Sequence, residues 1–145
     1  MLGNGTHGFL LDTRVTGDLT VTVRVSDGSG HSVQRQCTVT SRYPKFSAMI
    51  RTMSSAALYS DSPMTLIIRS TEYAGDYTVS YTTTSTNCRV SYGGSMLRPD
   101  SPVTLEAGQH IFTANSSYAE RTEFIFTITD IYGQSQQAQA SITWR

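Results

Sequence analysis

Residues 124–143 read FIFTITDIYGQSQQAQASIT and contain the clearest structural pattern of the chain. Apolar and polar residues alternate on both sides of a short central segment, which is the pattern of a β-hairpin. In that segment, Asp130 can accept hydrogen bonds from the turn backbone, and Gly133 can adopt the positive φ that closes such loops. The apolar face of the predicted hairpin consists of Phe124, Phe126, Ile128, Ala138, Ala140 and Ile142.

The same pattern occurs earlier in the chain, where residues 21–40 read VTVRVSDGSGHSVQRQCTVT. The two stretches align without a gap at a spacing of 103 residues, which places Asp27 on Asp130. At the same spacing, the motif Gly5-x-His7-x-Phe9 aligns with Gly108-x-His110-x-Phe112. A repeat of about a hundred residues has the size of one β-sandwich domain. We therefore expect residues 1–42 to be the C-terminal remnant of a first β-sandwich repeat, and residues 43–145 to be a complete domain.

The complete domain is expected to be an immunoglobulin-like or fibronectin-like β-sandwich. Its alternating segments predict about seven to nine short strands separated by turns, and no segment has a helical period. In the remnant, Phe9-Leu10-Leu11 is expected to form a strand beside the hairpin. The core of the complete domain is expected to contain Leu66, Ile68, Val79, Tyr81, Phe124, Phe126, Ile128, Ala140 and Ile142.

The composition limits the classes of partner. Eleven basic residues balance eleven acidic ones and only 15% of the chain is charged, so the chain has no basic surface for direct nucleic-acid binding. No stretch has the length and hydrophobicity of a membrane span, and residues 1–5 lack the features of a signal peptide. We expect an extracytoplasmic protein, in the periplasm or at the cell surface. A signal or anchor segment absent from this chain would then supply any membrane attachment.

The two cysteines, Cys37 and Cys88, are expected to be free thiols, since the spacing suggests no bridge between the two repeats. Cys37 aligns with Ala140 on the apolar face of the hairpin, which predicts a small buried hydrophobic residue.

No residue is assigned a catalytic, cofactor-binding or metal-binding role. The three histidines have no neighbouring ligands at metal-site spacing, and no G-x-S-x-G nucleophile motif occurs. Asp27 and Asp130 would suit an interdomain calcium site only if further oxygen ligands met at the linker, where Arg42 and Lys45 stand instead. The acids that a glycosidase would need to pair are expected to be solvated turn residues: Asp100, Glu106, Glu120 and Glu123. We expect a protein that is not an enzyme and has no cofactor.

Three motifs resemble the TraQ-like conjugative-transposon protein family of Bacteroidetes. They are Gly75–Tyr81 (GDYTVSY), Gly93–Asp100 (GGSMLRPD) and the stretch from Phe124 to Gln134. The resemblance covers about residues 46–143, and residues 1–42 look like part of a second copy. It implies small exported proteins, often lipoproteins, with an immunoglobulin-like sandwich and no catalytic motif to transfer.

The expected function is a non-catalytic structural or binding module of the bacterial cell envelope, with the conjugal transfer apparatus as the specific expectation. Its partners would then be envelope proteins. The alternative is a surface adhesin repeat, or an accessory carbohydrate-binding or spacer module of a larger extracellular protein.

Overall fold

The structure, a computed structural model, describes residues 1–13, 15–73 and 75–145. Every regular element in these residues is a β-strand. The strands lie in two compact units, Met1–Tyr43 and Pro44–Arg145. The first unit holds β1 (Gly17–Ser26) and β2 (Ser32–Ser41). The second holds β3 (Phe46–Thr52), β4 (Ser55–Ala56), β5 (Ser62–Ser70), β6 (Tyr77–Thr83), β7 (Cys88–Tyr92), β8 (Ser95–Leu97), β9 (Val103–Leu105), β10 (Gly108–Ser116), β11 (Arg121–Thr129) and β12 (Ser135–Trp144).

Two five-stranded sheets form the second unit, with the strand orders β3-β5-β10-β7-β8 and β4-β12-β11-β6-β9. Neighbouring strands are antiparallel, except that the short β4 runs parallel to the end of β12. The order β3-β5-β10-β7 in one sheet, with β12-β11-β6 in the other, is that of an immunoglobulin constant-type domain. The predicted all-β, immunoglobulin-like sandwich is therefore confirmed.

Side chains from both sheets meet in one core. The ring of Phe126 on β11 lies 5.0 Å from that of Phe112 on β10 in the other sheet, and 5.9 Å from that of Tyr81. Eight of the nine residues expected in the core are buried there. The ninth, Ala140, is only half-buried. The large buried residues that the sequence pattern did not predict include Met64, Phe112 and Trp144.

The first unit contains an antiparallel hairpin that pairs without interruption from Gly17 with Ser41 to Ser26 with Ser32. In its turn, the backbone N–H of Asp27 donates to the carbonyl of His31 over 2.9 Å. The hairpin predicted from residues 21–40 is thus present as an element. The prediction that it closes a truncated repeat stays a prediction.

The prediction of a strand at Phe9-Leu10-Leu11 is wrong, because the described residues before β1 form no strand. In the second unit the aligned segment belongs to β10, which is hydrogen-bonded to β5 on one side and to β7 on the other. The first unit has no described strand that could take either place. A strand without a hydrogen-bonded neighbour has no reason to form.

Cys37 is exposed, so the prediction that it is buried is wrong. Its position on the apolar face of β2 matches the alternation of the sequence, and Val21 is its partner across the hairpin. A two-stranded ribbon has no second sheet to cover that face. The alternation correctly predicted which face of β2 carries Cys37. The side chain is exposed because no second sheet packs on that face.

Candidate functional site

The four acids considered for a glycosidase pair lie in strands and connections of the second unit. Asp100, Glu106 and Glu123 are exposed, as expected, and lie in three different elements or connections. Glu123 pairs with Arg121 on its own strand at 3.5 Å, with both side chains largely in water. Glu120 differs from the expectation of a solvated residue, since it is half-buried and accepts a hydrogen bond from the hydroxyl of the buried Ser85. This contact holds the residue before β11, and the partner of Glu120 in it is a hydroxyl and not a second carboxylate.

The two hairpin aspartates are used by their own turns. In the second unit, Asp130 Oδ1 accepts hydrogen bonds from the backbone N–H of Tyr132 and of Gln134, each over 2.9 Å. Its Oδ2 accepts one from Gln134 Nε2 over 2.7 Å, and the same amide nitrogen donates to the carbonyl of Pro44. The buried carboxylate therefore ties the β11–β12 turn to the first residue of the unit.

The first hairpin uses the equivalent arrangement at its surface. Asp27 Oδ1 accepts hydrogen bonds from the backbone of Ser29 and of His31, and Asp27 Oδ2 lies 2.9 Å from His31 Nδ1. The hydrogen bond with the His31 side chain is the main cause that lowers the pKa of Asp27 below its ordinary value. These turn contacts occupy the carboxylates that the calcium alternative would need, and no group of three or more potential ligands occurs in the described part of the chain.

The buried thiol of Cys88 is not set up as a nucleophile. Cys88 lies in the core, and burial raises the pKa of its thiol to about 11. A nucleophilic cysteine needs the opposite shift, because only the thiolate attacks. Both cysteines are free thiols, and the assignment of no catalytic, cofactor or metal residue stays a prediction.

An open groove of about 650 Å³ runs over one end of the sheet that contains β3, β5 and β10. Its floor is apolar and includes Phe46 and the buried Ile68, while Lys45 and Arg69 stand at its rim. Its lining thus combines apolar side chains with two exposed cations.

Two exposed tyrosines lie at the connections near the end of β10. Tyr59 has a φ of 58°, which is uncommon for a residue with a side chain, and its N–H donates to the carbonyl of Ser116 over 2.9 Å. Tyr118 follows, held by hydrogen bonds between its backbone and the Ser116 hydroxyl. A nearby shallow cavity of about 190 Å³ is lined in part by Asp61, Arg89 and Asn115.

The ribbon formed by β1 and β2 presents a third surface. We define its apolar ribbon face by Val21, Val23, Val25, Val33, Cys37 and Val39, which alternate with polar residues on the two paired strands. Five of these six residues are exposed, and Val21 is half-buried. An exposed apolar face of this extent usually marks an interaction site. The sequence had already indicated that the hairpin lacks partner strands.

Comparison with known proteins gives matches of structure only. No family model matches the sequence, and neither does any curated protein. Among solved structures, a conjugative transposon lipoprotein from Bacteroides eggerthii matches with a TM-score of 0.58 at 14% identity, over 70% of this chain and 98% of the other. A lipoprotein from Bacteroides thetaiotaomicron matches with a TM-score of 0.58 at 18% identity, over 72% of this chain and 83% of the other.

At these identities the matches establish a shared fold. The resemblance to the TraQ-like family implied an immunoglobulin-like sandwich, and the fold is indeed that of a conjugative transposon lipoprotein of Bacteroides. No helix that could span a membrane occurs in the described residues.

Proposed function

We propose that this chain is a non-catalytic structural and binding module of the bacterial cell envelope, and that it serves a conjugal transfer apparatus. The fold match carries the proposal: a conjugative transposon lipoprotein shares the architecture over 98% of its own length. The motifs from Gly75 to Gln134 resemble the TraQ-like family independently of that match.

Two features of the second unit support binding over catalysis. The acids are dispersed or engaged in turns, and the Cys88 thiol is buried with a raised pKa. The open groove beside Lys45 and Arg69 offers an apolar floor with a cationic rim, which suits an acidic segment of an envelope protein.

The first test is genetic. Deletion of the coding region from donor cells should lower the transfer frequency of the conjugative element, and the intact gene should restore it. A variant with Lys45→Glu and Arg69→Glu should restore transfer poorly if the groove binds an acidic partner. A matched variant with Arg89→Glu, which changes an exposed cation outside the groove, should restore it fully. Normal transfer after the deletion would contradict the proposal.

Location is tested separately. Met96 is exposed on the edge strand β8, so a Met96→Cys variant in a Cys37→Ser background places an accessible thiol on the second unit. A membrane-impermeant thiol reagent should label this cysteine in donor cells whose outer membrane has been opened. The Cys37→Ser protein that keeps Met96 should not be labelled. Labelling only after lysis of the inner membrane would place the protein in the cytoplasm and contradict an envelope function.

A second candidate function, glycan binding as an accessory module, is favoured by the two exposed tyrosines. Tyrosine rings combine an apolar face with a polar tip, and uncommon backbone conformations such as that of Tyr59 are concentrated at functional sites. Binding to a glycan array that is lost in Tyr59→Ala and Tyr118→Ala, and retained in the exposed control Met53→Ala, would support this function. Absence of glycan binding would exclude it.

A further inference from the structure

The ribbon of β1 and β2 has the same pairing as the hairpin that closes the second unit. Val21 pairs with Cys37 in the first hairpin, and Phe124 pairs with Ala140 in the second, so the partners correspond at the repeat spacing of 103 residues. Both turns have glycine at positive φ, 88° at Gly30 and 82° at Gly133. The two hairpins therefore agree in register and turn, as well as in sequence.

The two hairpins differ in what covers their apolar face. In the second unit the residues aligned with Val21 and Val23 are Phe124 and Phe126, and neither exposes any surface. They pack into the core, and β6 pairs with the free edge of β11. On the apolar ribbon face the aligned positions are open, and Val25 exposes 65% of its surface. Among the described strands, β2 is the hydrogen-bonded neighbour of β1 and no other strand pairs with it.

The segment before β1 also has the sequence of a buried strand without the strands that would bury it. Phe9 aligns with Phe112, which is buried in the core on β10, whereas Phe9 exposes 71% of its surface. The segment around Phe9 has the residues of a β10 strand and lacks the neighbours that β5 and β7 give to β10.

The size of the face argues against a second copy of the chain as the cover. Each strand has ten residues, and at about 3.4 Å per residue and 4.8 Å between strands the face measures about 300–350 Å². Two such faces packed together would bury about 700 Å², below the roughly 1,200 Å² of a specific stable interface. Such a dimer would also leave the hydrogen-bonding edge of β1 unpaired.

We propose that β1 and β2 are the closing hairpin of an immunoglobulin-like sandwich, and that the remaining strands of this sandwich, carried on the same polypeptide, cover the apolar ribbon face. A strand equivalent to β6 pairs with β1, and strands equivalent to β3, β5 and β7 build the opposite sheet with the segment around Phe9. Arg35 takes the place of the buried Ala138, so the covering strands present a carboxylate or a water-filled position to its guanidinium.

The test supplies the missing strands from the chain itself. A second copy of residues 44–103 is fused directly before Met1, in phase with the repeat, and every Cys88 is changed to Ala so that Cys37 is the single thiol. Completion of the sandwich should slow the reaction of Cys37 with a thiol reagent at least about tenfold relative to the 145-residue chain. The amide protons of β1 and β2 should become protected from exchange together with it.

Two matched variants of the fusion check that the apolar face is responsible. Val23→Asp places a charge on the covered face and should restore fast labelling, whereas Thr22→Asp on the opposite face should leave the protection unchanged. Equal labelling of Cys37 in the fusion and in the 145-residue chain contradicts the proposal. So does slow labelling of the unfused chain accompanied by a dimer in sedimentation, because a second copy would then be the cover.

A hairpin exchange keeps the proposal testable if the fusion does not fold. Residues 121–143 of the full chain are replaced by a copy of residues 18–40 carrying Val21→Phe, Val23→Phe and Arg35→Ala, which keeps the buried Trp144 in place. This chain should unfold cooperatively. A control copy of residues 19–41 with the same three changes is slipped by one residue, which turns the polar face inward, and it should not fold. An in-phase chain no more stable than the slipped one overturns the proposal.

Discussion

At the scale of single residues, Phe126 connects the two sheets of the second unit. Its ring is fully buried between Phe112 of the opposite sheet and Tyr81 of its own. Phe126→Ala should lower the free energy of unfolding by about 3–5 kcal/mol, because a cavity would remain where the ring packs. Denaturant unfolding of the full chain measures this loss. Thr127→Ala, on the outer face of the same strand, is the control, and an equal loss from both variants would contradict the assignment of the core.

The pH dependence of stability belongs to the same scale, because burial raises the pKa of Cys88 to about 11. In the unfolded chain a cysteine loses its proton near pH 8.5, so between about pH 8.5 and 11 the native state binds more protons than the unfolded state. Stability that is fully present below pH 8.5 should therefore fall as the pH rises through this window.

Comparison with Cys88→Ala isolates the titration of this thiol together with its charge interaction with Tyr81, whose pKa is raised by burial and by Cys88. The difference in unfolding free energy between wild type and variant should be constant below pH 8 and shrink towards pH 11. A difference independent of pH would show that the Cys88 thiol titrates normally in the folded protein.

At the scale of elements, two equivalent turns differ in burial and so in their contribution to stability. Asp130 is buried and accepts three hydrogen bonds, one of which comes from the Gln134 side chain that also contacts Pro44. Asp130→Ala should cost the second unit about 2 kcal/mol, because three hydrogen bonds to the carboxylate are lost and partly buried donors lose their acceptor.

The first hairpin provides the matched control for this prediction. Asp27→Ala removes the aligned carboxylate, which lies at the surface and contacts only its own turn. The main unfolding transition should keep its midpoint in that variant. Equal shifts from both substitutions would mean that the two hairpins unfold as one cooperative body.

At the scale of the whole molecule, stability should be divided between the two units. All residues of the core cluster lie in Pro44–Arg145, whereas the hairpin of β1 and β2 has no buried residue. An isolated two-stranded hairpin is marginal in water. The fragment 44–145 should therefore fold alone with the midpoint of the full chain, and hydrogen exchange on the full chain should be fast in β1 and β2 and slow in β5, β10 and β11. An unfolded fragment beside uniformly slow exchange in the full chain would refute the division.

Local sequence patterns were enough to predict most strands, the faces of those strands and the hairpin turns. Alternation placed Phe124, Phe126 and Ile128 on one side of β11, and the Asp-x-x-Gly segment gave the turn that both hairpins show. These features are local, since strand periodicity and turn chemistry act over a few residues. The absence of a clustered set of reactive side chains in the sequence likewise left no catalytic site to expect.

Which faces are covered and which strands have a neighbour depends on the packing of distant segments, and the sequence pattern did not predict it. Cys37 and Phe9 lie at positions whose pattern predicts burial, and both are exposed. Ala140 lies where β12 has only one hydrogen-bonded neighbour. The two-residue strand β4 is defined by its pairing with the end of β12. Burial and strand pairing depend on segments far apart in the chain. Alternation states which way a side chain points, and the presence of another sheet decides whether it is buried there.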